Sequence, residues 1–279
     1  MQYVERGIPT MVRFFGTETA AALAAEGRRA DLLLGNNVLA HVPDINDFVS
    51  AMPRILSPNG VITMEFPHLL RLMAENQFDT IYHEHFSYLS FLTVSRIFAA
   101  HGLRMFDVQQ LQTHGGSLRI FATHATDSSH EETTAVAALL DEERAAGLQE
   151  PATYDAFAEQ VRRTKRRLLE FLIGAKGEGR RIAAYGAPAK GNTLLNFCGI
   201  GPDMIDFTVD RSPHKQDHFL PGSRLPILHP DAIRDAQPDY VLILPWNLRA
   251  EVVQQMSFIR EWGARFVVPI PEVMVLDVH

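Results

Sequence analysis

The stretch Ala30-Asp31-Leu32-Leu33-Leu34-Gly35 decides how this chain folds. It is a short apolar run without helical or alternating period, the pattern of a strand buried on both faces of a parallel sheet. Working outward, residues 18–26 are Ala-rich and read as a helix. Residues 45–56 are amphipathic, with Asp44 as N-cap and Pro58-Asn59-Gly60 as the stop. Residues 9–15 and 60–66 read as strands, and 91–101 as a helix ended by Gly102. Residues 103–108 and 117–122 then form two strands across a turn at His114-Gly115-Gly116. Strands alternating with helices predict a parallel sheet, and the final hairpin adds an antiparallel edge.

The rest of the chain restarts the pattern. Residues 126–147 are polar and Ala-rich, a helical connector. Residues 155–173 form a helix with Phe157, Val161, Leu168 and Leu172 on its apolar face. Arg162, Arg163, Lys165, Arg166 and Arg167 on the outer face read as a solvated surface before a phosphate site. Residues 181–186, 205–210, 240–244 and 266–270 read as strands, with helices from about 192 and over 249–262. The fold class is therefore α/β: one partial sheet with a hairpin over residues 1–125, then a connector and a Rossmann-like domain over 126–279.

Composition narrows the function. A net charge of −7 argues against a nucleic-acid partner. One cysteine, Cys198, excludes an internal disulfide and a multi-cysteine zinc site, and fits a reducing compartment. No run reaches membrane-spanning length, and the N-terminus lacks a signal-peptide pattern, so the cytoplasm is the expected location.

The run Tyr82-His83-Glu84-His85-Phe86 concentrates the chemistry. It follows a strand that delivers it to the carboxyl edge of the sheet, where open α/β folds bind their ligands. A phenol, two imidazoles and a carboxylate can remove a proton, stabilise the resulting oxygen charge and orient the base. A His-x-His metal site is the competing reading, but no third and fourth ligand lies near in sequence, so no metal is expected. Residues 186–191 resemble a phosphate loop, although Lys190 precedes the second glycine, unlike the Walker pattern. A plain tight turn is an equal reading of that loop, and Asp210 stands equally between a ribose-binding acid and a turn residue.

The segment from Asp31 to Asp44, with Asn36, Asn37 and His41, resembles the fourth strand and following loop of Rossmann-type S-adenosylmethionine-dependent methyltransferases. The Tyr-His-Glu-His-Phe run, Thr113-His-Gly-Gly-Ser-Leu-Arg119 and Tyr185-Gly-Ala-Pro-Ala-Lys-Gly-Asn192 together resemble one subfamily, the C-methyltransferases of nucleotide-linked 4-keto-deoxysugars. The resemblance implies that a ketone at carbon 4 acidifies the proton on carbon 3, that a base removes it, and that the enolate carbon takes the methyl group. It implies His85 as that base, Tyr82, Glu84 and His41 as active-site partners, and S-adenosyl-L-methionine as cofactor. Asn36, Asn37 and Phe15 would adjoin the cofactor, with Phe14 a weaker neighbour. Gly186, Lys190 and Gly191 would hold the sugar nucleotide.

The departure from that family is at the start. The chain begins at what reads as a third strand, and no Gly-rich loop or acidic strand end precedes Asp31. The expectation is a C-terminal two-thirds: a truncated gene model, a split gene completed by an N-terminal partner chain, or a remnant. A non-catalytic sugar-nucleotide-binding or assembly fragment is the alternative function. An open sheet edge and weak binding of the methyl donor are expected.

Overall fold

The computed structural model describes Gly7 and residues 9–276. The chain divides into two compact units, Met1–Leu69 with His85–Ala146, and Leu70–Glu84 with Gly147–His279.

The first unit is built on four strands, β1 (Ala30–Asn36), β2 (Leu56–Pro67), β3 (Leu103–Leu111) and β4 (Ser117–His124), in the order β1-β2-β4-β3. β1 and β2 are parallel, and the β3–β4 hairpin adds antiparallel to β2. Helices α1 (Thr17–Ala25) and α2 (Ile45–Ile55) precede β2, and α3 (Leu69–Ala74) leads into the second unit. Helices α4 (Phe91–Ala100) and α5 (Thr134–Ala145) complete the first. Ile62, Met64 and Phe66 alternate along β2 into a core shared with Leu118 and Ile120 of β4, Phe48 and Met52 of α2, and Phe91 and Phe98 of α4. That period of two is the strand signal. Asp44 caps α2, accepting from the Asp47 N–H at 2.9 Å.

Two expectations fail here. Residues 9–15 form no strand. Met11, Val12 and Phe14 are exposed, Phe14 to 99 %. The segment's polar groups bond locally instead, Arg13 N–H to the Met11 carbonyl and the Thr19 hydroxyl to the Phe14 carbonyl. Nor does Pro58-Asn59-Gly60 stop α2. The helix ends at Ile55 and β2 starts at once, because Leu56 already pairs with Ala30. The apolar run at 30–35 is a strand but is not buried on both faces: among the described residues β1 ends the sheet, the expected open edge, and Leu32 and Leu34 are exposed at 56 % and 61 % for want of a neighbour.

The second unit is a seven-stranded sheet. Its strands are β5 (Ile182–Tyr185), β6 (Thr208–Val209), β7 (His218–Phe219), β8 (Pro226–Leu228), β9 (Tyr240–Ile243), β10 (Arg265–Val268) and β11 (Met274–Leu276), in the order β11-β10-β9-β5-β6-β8-β7. The central pairs are parallel, and β7 and β11 are antiparallel edges. Helices α6 (Pro151–Gly177), α7 (Ala189–Cys198), α8 (Ala232–Ala236) and α9 (Arg249–Gln255) accompany it. Leu168 and Leu172 of α6 are fully buried against β5 and its neighbours. The basic face of α6 is solvated and paired, Arg162 and Arg166 with Glu159 and Arg167 with Glu272. No helix among the described residues is long and apolar enough to cross a membrane.

One buried carboxylate organises the first unit. Glu143 of α5 is fully buried. It accepts from the Phe91 N–H at 2.6 Å and the Leu92 N–H at 2.8 Å, the orphan donors of α4, and pairs with the His68 ring at 2.8 Å. Glu143→Ala strands all three groups without water, and each buried orphan costs about 1–3 kcal/mol. The expected result is a loss of several kcal/mol in urea unfolding of the first unit, with Glu143→Gln intermediate. Equal midpoints for wild type and the Ala variant would refute the clamp.

Candidate functional site

In the first unit the polar residues gather at the carboxyl ends of β1 and β2. Asn36 is exposed. Asn37 sits in the left-handed region at φ 54°, and its N–H donates to the Glu65 carbonyl at 2.8 Å. Its side-chain nitrogen meets His114 Nε2 at 3.1 Å, and its side-chain oxygen is buried without a hydrogen-bond partner. His114 is also left-handed, at φ 55°. Two such non-glycine residues cost roughly 1–3 kcal/mol each, and strain of this kind concentrates where function holds it. Glu65 lies beneath them, accepting from Thr113 Oγ1 and Arg119 Nη2, each at 2.9 Å.

The loop after β1 turns through a short 3-10 helix, Leu39–His41. The Ala40 carbonyl accepts from the N–H groups of Phe86 and Ser87, at 2.9 and 3.2 Å. Those two bonds set the His85 ring edge-on to the His41 ring, with centroids 4.7 Å apart. The Tyr88 ring also stands edge-on to His85, at 5.8 Å. His41 and His85, 44 positions apart, are thus brought into ring contact within one unit. Tyr88 escaped the sequence reading, its signal being an aromatic three residues beyond the imidazole. Phe15 packs edge-on to Phe48 at 5.4 Å and lines a cavity of about 360 Å³ with Pro9, Arg13 and Arg28. None of the imidazoles lines that cavity.

Tyr82, His83 and Glu84 belong to the second unit, whose boundary falls between Glu84 and His85. His83 and Glu84 are exposed, and Tyr82 is half-buried. Burial raises the Tyr82 pKa above its ordinary value, reinforced by the Glu84 and Asp79 carboxylates, so the phenol keeps its proton. The segment before Tyr82 is bolted down. Asn76 donates to Thr164 Oγ1 at 2.6 Å and the Pro271 carbonyl at 3.2 Å, and Phe78 packs edge-on to Phe197. Asp79 is 0 % exposed and accepts from the Trp246 indole N–H at 2.7 Å. Its other oxygen has no hydrogen-bond partner. Desolvation pushes its carboxyl up to about 7.

The carboxyl ends of β5 and β9 form the point where strand order reverses, the customary ligand crevice of such sheets. A cavity of about 540 Å³ opens there, lined by Tyr185, Gly186, Asp210, Arg211, Lys215 and Gln255 among others. That volume suits a small-molecule ligand. Gly186 has φ 94°, and a Cβ on it would meet Pro245 Cδ at 2.6 Å. A Cβ on Gly191 would meet Leu244 Cβ at 2.7 Å. Glycine at both positions lets α7 start close against the strand ends. Asp210 acts as a clamp on this loop. It accepts from the N–H groups of Ala187 and Ser212, each at 2.8 Å, and from Lys215 Nζ at 3.4 Å. Lys190 does not line the cavity. Its ammonium lies over the Trp246 ring, 4.5 Å from the centroid, and donates to Asn247 Oδ1. Desolvation lowers its pKa. Among the described residues no group of three His, Cys, Asp or Glu could hold a metal ion.

Similarity to known proteins places the chain among methyltransferases. Residues 112–271 match the family model described as the C-methyltransferase C-terminal domain, and residues 8–108 match a methyltransferase domain model. The chain is 40 % identical over 273 residues to the C-methyltransferase NovU of Streptomyces niveus, covering 98 % of this chain and 65 % of the relative. It therefore spans just under two thirds of that relative's length. A 48-residue stretch is 42 % identical to a ubiquinone biosynthesis O-methyltransferase of Bartonella tribocorum, 17 % of this chain and 19 % of that one. Among solved structures, an O-methyltransferase family protein from Burkholderia thailandensis matches at 14 % identity and TM-score 0.30, over 41 % of this chain and 36 % of that one. That likeness is too partial to carry an argument.

Asp79 makes the stability of the second unit depend on pH. An acid whose folded pKa lies above its unfolded value takes up a proton on folding. The stability it contributes is complete below about pH 3.8 and is lost as pH rises through about 7. Over that window the loss is of order 4 kcal/mol. Asp79→Asn keeps an acceptor for the indole and cannot ionise. Its stability relative to wild type should climb between about pH 4 and pH 8, read from urea midpoints by tryptophan fluorescence. Parallel curves would contradict the assignment.

Proposed function

We propose that this chain, which belongs to the C-methyltransferase family, abstracts a proton beside the ketone of a nucleotide-linked 4-keto-deoxysugar, preparing that carbon to accept a methyl group from S-adenosylmethionine. The observation that carries the reading is the His41–His85 imidazole pair at the carboxyl end of β1. His85 is the base: its ring takes the carbon-bound proton, and the electron pair moves into the enolate. His41 and Tyr88, both edge-on to His85, limit rotation of its ring. The Tyr82 phenol, kept protonated by burial and by two carboxylates, is the hydrogen-bond donor for the enolate oxygen. Glu84, next to His85 in the chain, selects the imidazole tautomer.

When bound, S-adenosylmethionine supplies an electrophilic methyl on a positively charged sulfur. The buried, unpartnered side-chain oxygen of Asn37 fits a donor group of that molecule, with Asn36 and Phe15 as its neighbours. The sugar nucleotide takes the cleft of the second unit, where Gly186 and Gly191 allow close approach to the backbone at the start of α7. Lys215 and Arg211 on the cleft wall are the cations for its diphosphate. Lys190, the cation expected from sequence, is engaged by Asn247 and Trp246 instead. A nucleotide-sugar substrate and a single buried thiol suit the cytoplasm. The open edge of β1 favours a second reading, in which the chain is a sugar-nucleotide-binding fragment completed by an N-terminal partner chain.

Proton abstraction needs no methyl donor, so the test is solvent deuterium exchange into a nucleotide-linked 4-keto-deoxysugar, followed by mass spectrometry. The full chain should catalyse it, and His85→Asn should slow it by about 100- to 10,000-fold. Exchange no faster with wild type than with buffer would leave the binding-fragment reading. Lys215→Ala should weaken nucleotide-sugar affinity about tenfold or more in calorimetry, as expected for a lost charge-assisted contact. Unchanged affinity would remove the diphosphate from this cleft.

A further inference from the structure

Asp79 is an expensive residue for the fold alone. A fully buried carboxyl with one donor and one unpartnered oxygen costs several kcal/mol in desolvation, and an apolar side chain of similar volume would pack there without that cost. Local conflicts of this kind concentrate at functional positions. Asp79 is three residues before Tyr82, and it closes a chain of contacts inside the second unit. The Trp246 indole N–H grips the carboxyl, the Lys190 ammonium lies on the face of the same indole, and Asn247 accepts from that ammonium. The neighbours Asn76 and Phe78 are held by Thr164, Pro271 and Phe197. Of these long-range contacts the one at Asp79 is the nearest in sequence to Tyr82 and Glu84, and Thr80 beyond it bonds locally to the Gln77 carbonyl.

We propose that Asp79, gripped by the Trp246 indole with Lys190 stacked on that ring, is a positioning residue that fixes the Tyr82 phenol and the Glu84 carboxylate for proton transfer. Neither Asp79 nor Lys190 touches the substrate in this assignment. Lys190 becomes part of the lock, which explains why a lysine at the start of α7 faces away from the cleft. The proposal rests on the enolate reading for what Tyr82 does, but not for the lock itself.

Two measurements separate the two claims. The first needs no substrate. In the full chain labelled with ring-¹³C tyrosine, the Tyr82 resonance is assigned by its loss in Tyr82→Phe. Trp246→Phe keeps the ring under Lys190 and removes the N–H. That variant and Asp79→Ala should shift or broaden the Tyr82 resonance, while Asp79→Asn, which retains an acceptor, should restore it. An unmoved resonance in folded Trp246→Phe would overturn the lock, whatever the chain catalyses. The second is the deuterium exchange. Asp79→Ala and Trp246→Phe should each lower kcat about 10- to 100-fold through misplacement, with KM within about twofold. Because they cut the same bond, the double variant should be no slower than either single one. Additive losses would show that Asp79 and Trp246 act independently, and a rise in KM with kcat intact would assign Asp79 to substrate binding; either would overturn the positioning role. Should Asp79→Ala not fold, Trp246→Phe and Asp79→Asn carry both tests.

Discussion

Two parallel strands can be joined only by a crossover that returns to the same end of the sheet, and that constraint places the chemistry in both units. β1 and β2 are parallel, as are β5, β6, β8, β9 and β10. The central strands of the second unit, β5, β9 and β10, are apolar and almost wholly buried, and in both units polar side chains collect where strands end. Asn37, His41 and the Glu65–Arg119 pair lie at one such edge, and Gly186, Asp210 and Lys215 at the other. The same argument explains the glycines at 186 and 191: loops confined to a strand end must pass close to neighbouring backbone.

Two buried acids show how burial can serve opposite ends. Glu143 receives two backbone N–H groups and an imidazole, so most of its lone-pair capacity is used and it ties α4 and α5 to β2. Asp79 has one indole N–H and an idle oxygen, and its carboxyl is pushed up to about 7. The difference is the number of donors each desolvated charge receives. Glu143 behaves as structural cement. Asp79 is buried with half of its hydrogen-bonding capacity unused, three positions before Tyr82.

Local signals were readable where local physics decides. Asp44 as a cap, the strand over 60–66 and the hairpin at 114–116 rest on neighbours within a few positions. The His41–His85 pairing was legible only through family resemblance, since nothing local links residues 44 apart. Residues 9–15 carry strand-like composition, but composition supplies no ladder partner, and the segment stays irregular. Pro58-Asn59-Gly60 has turn chemistry, yet the pairing of Leu56 with Ala30 draws it into β2. Asp79 was invisible. Its burial is made by Trp246, 167 positions away, and an aspartate in Asn76-Gln-Phe-Asp-Thr80 looks like ordinary surface.

Lys190 shows why a motif is weaker than a contact. A lysine in the first turn of a helix, beside a glycine-rich loop, suggests a phosphate ligand, but its charge faces the positive end of the helix dipole and is unfavourable there until an anion arrives. Here that compensation is internal. The ammonium swings onto the π-face of Trp246 and to the amide oxygen of Asn247, beside the acid that the same indole holds. A cation already satisfied within its own unit gains little by moving to a ligand. Lys215 is more exposed and lines the cleft, its ammonium held by the Ala187 carbonyl at 3.0 Å and by Asp210 at 3.4 Å. The loop glycines keep their steric meaning, close approach to neighbouring side chains at the start of α7, while the lysine between them is bound up with Trp246 and Asn247.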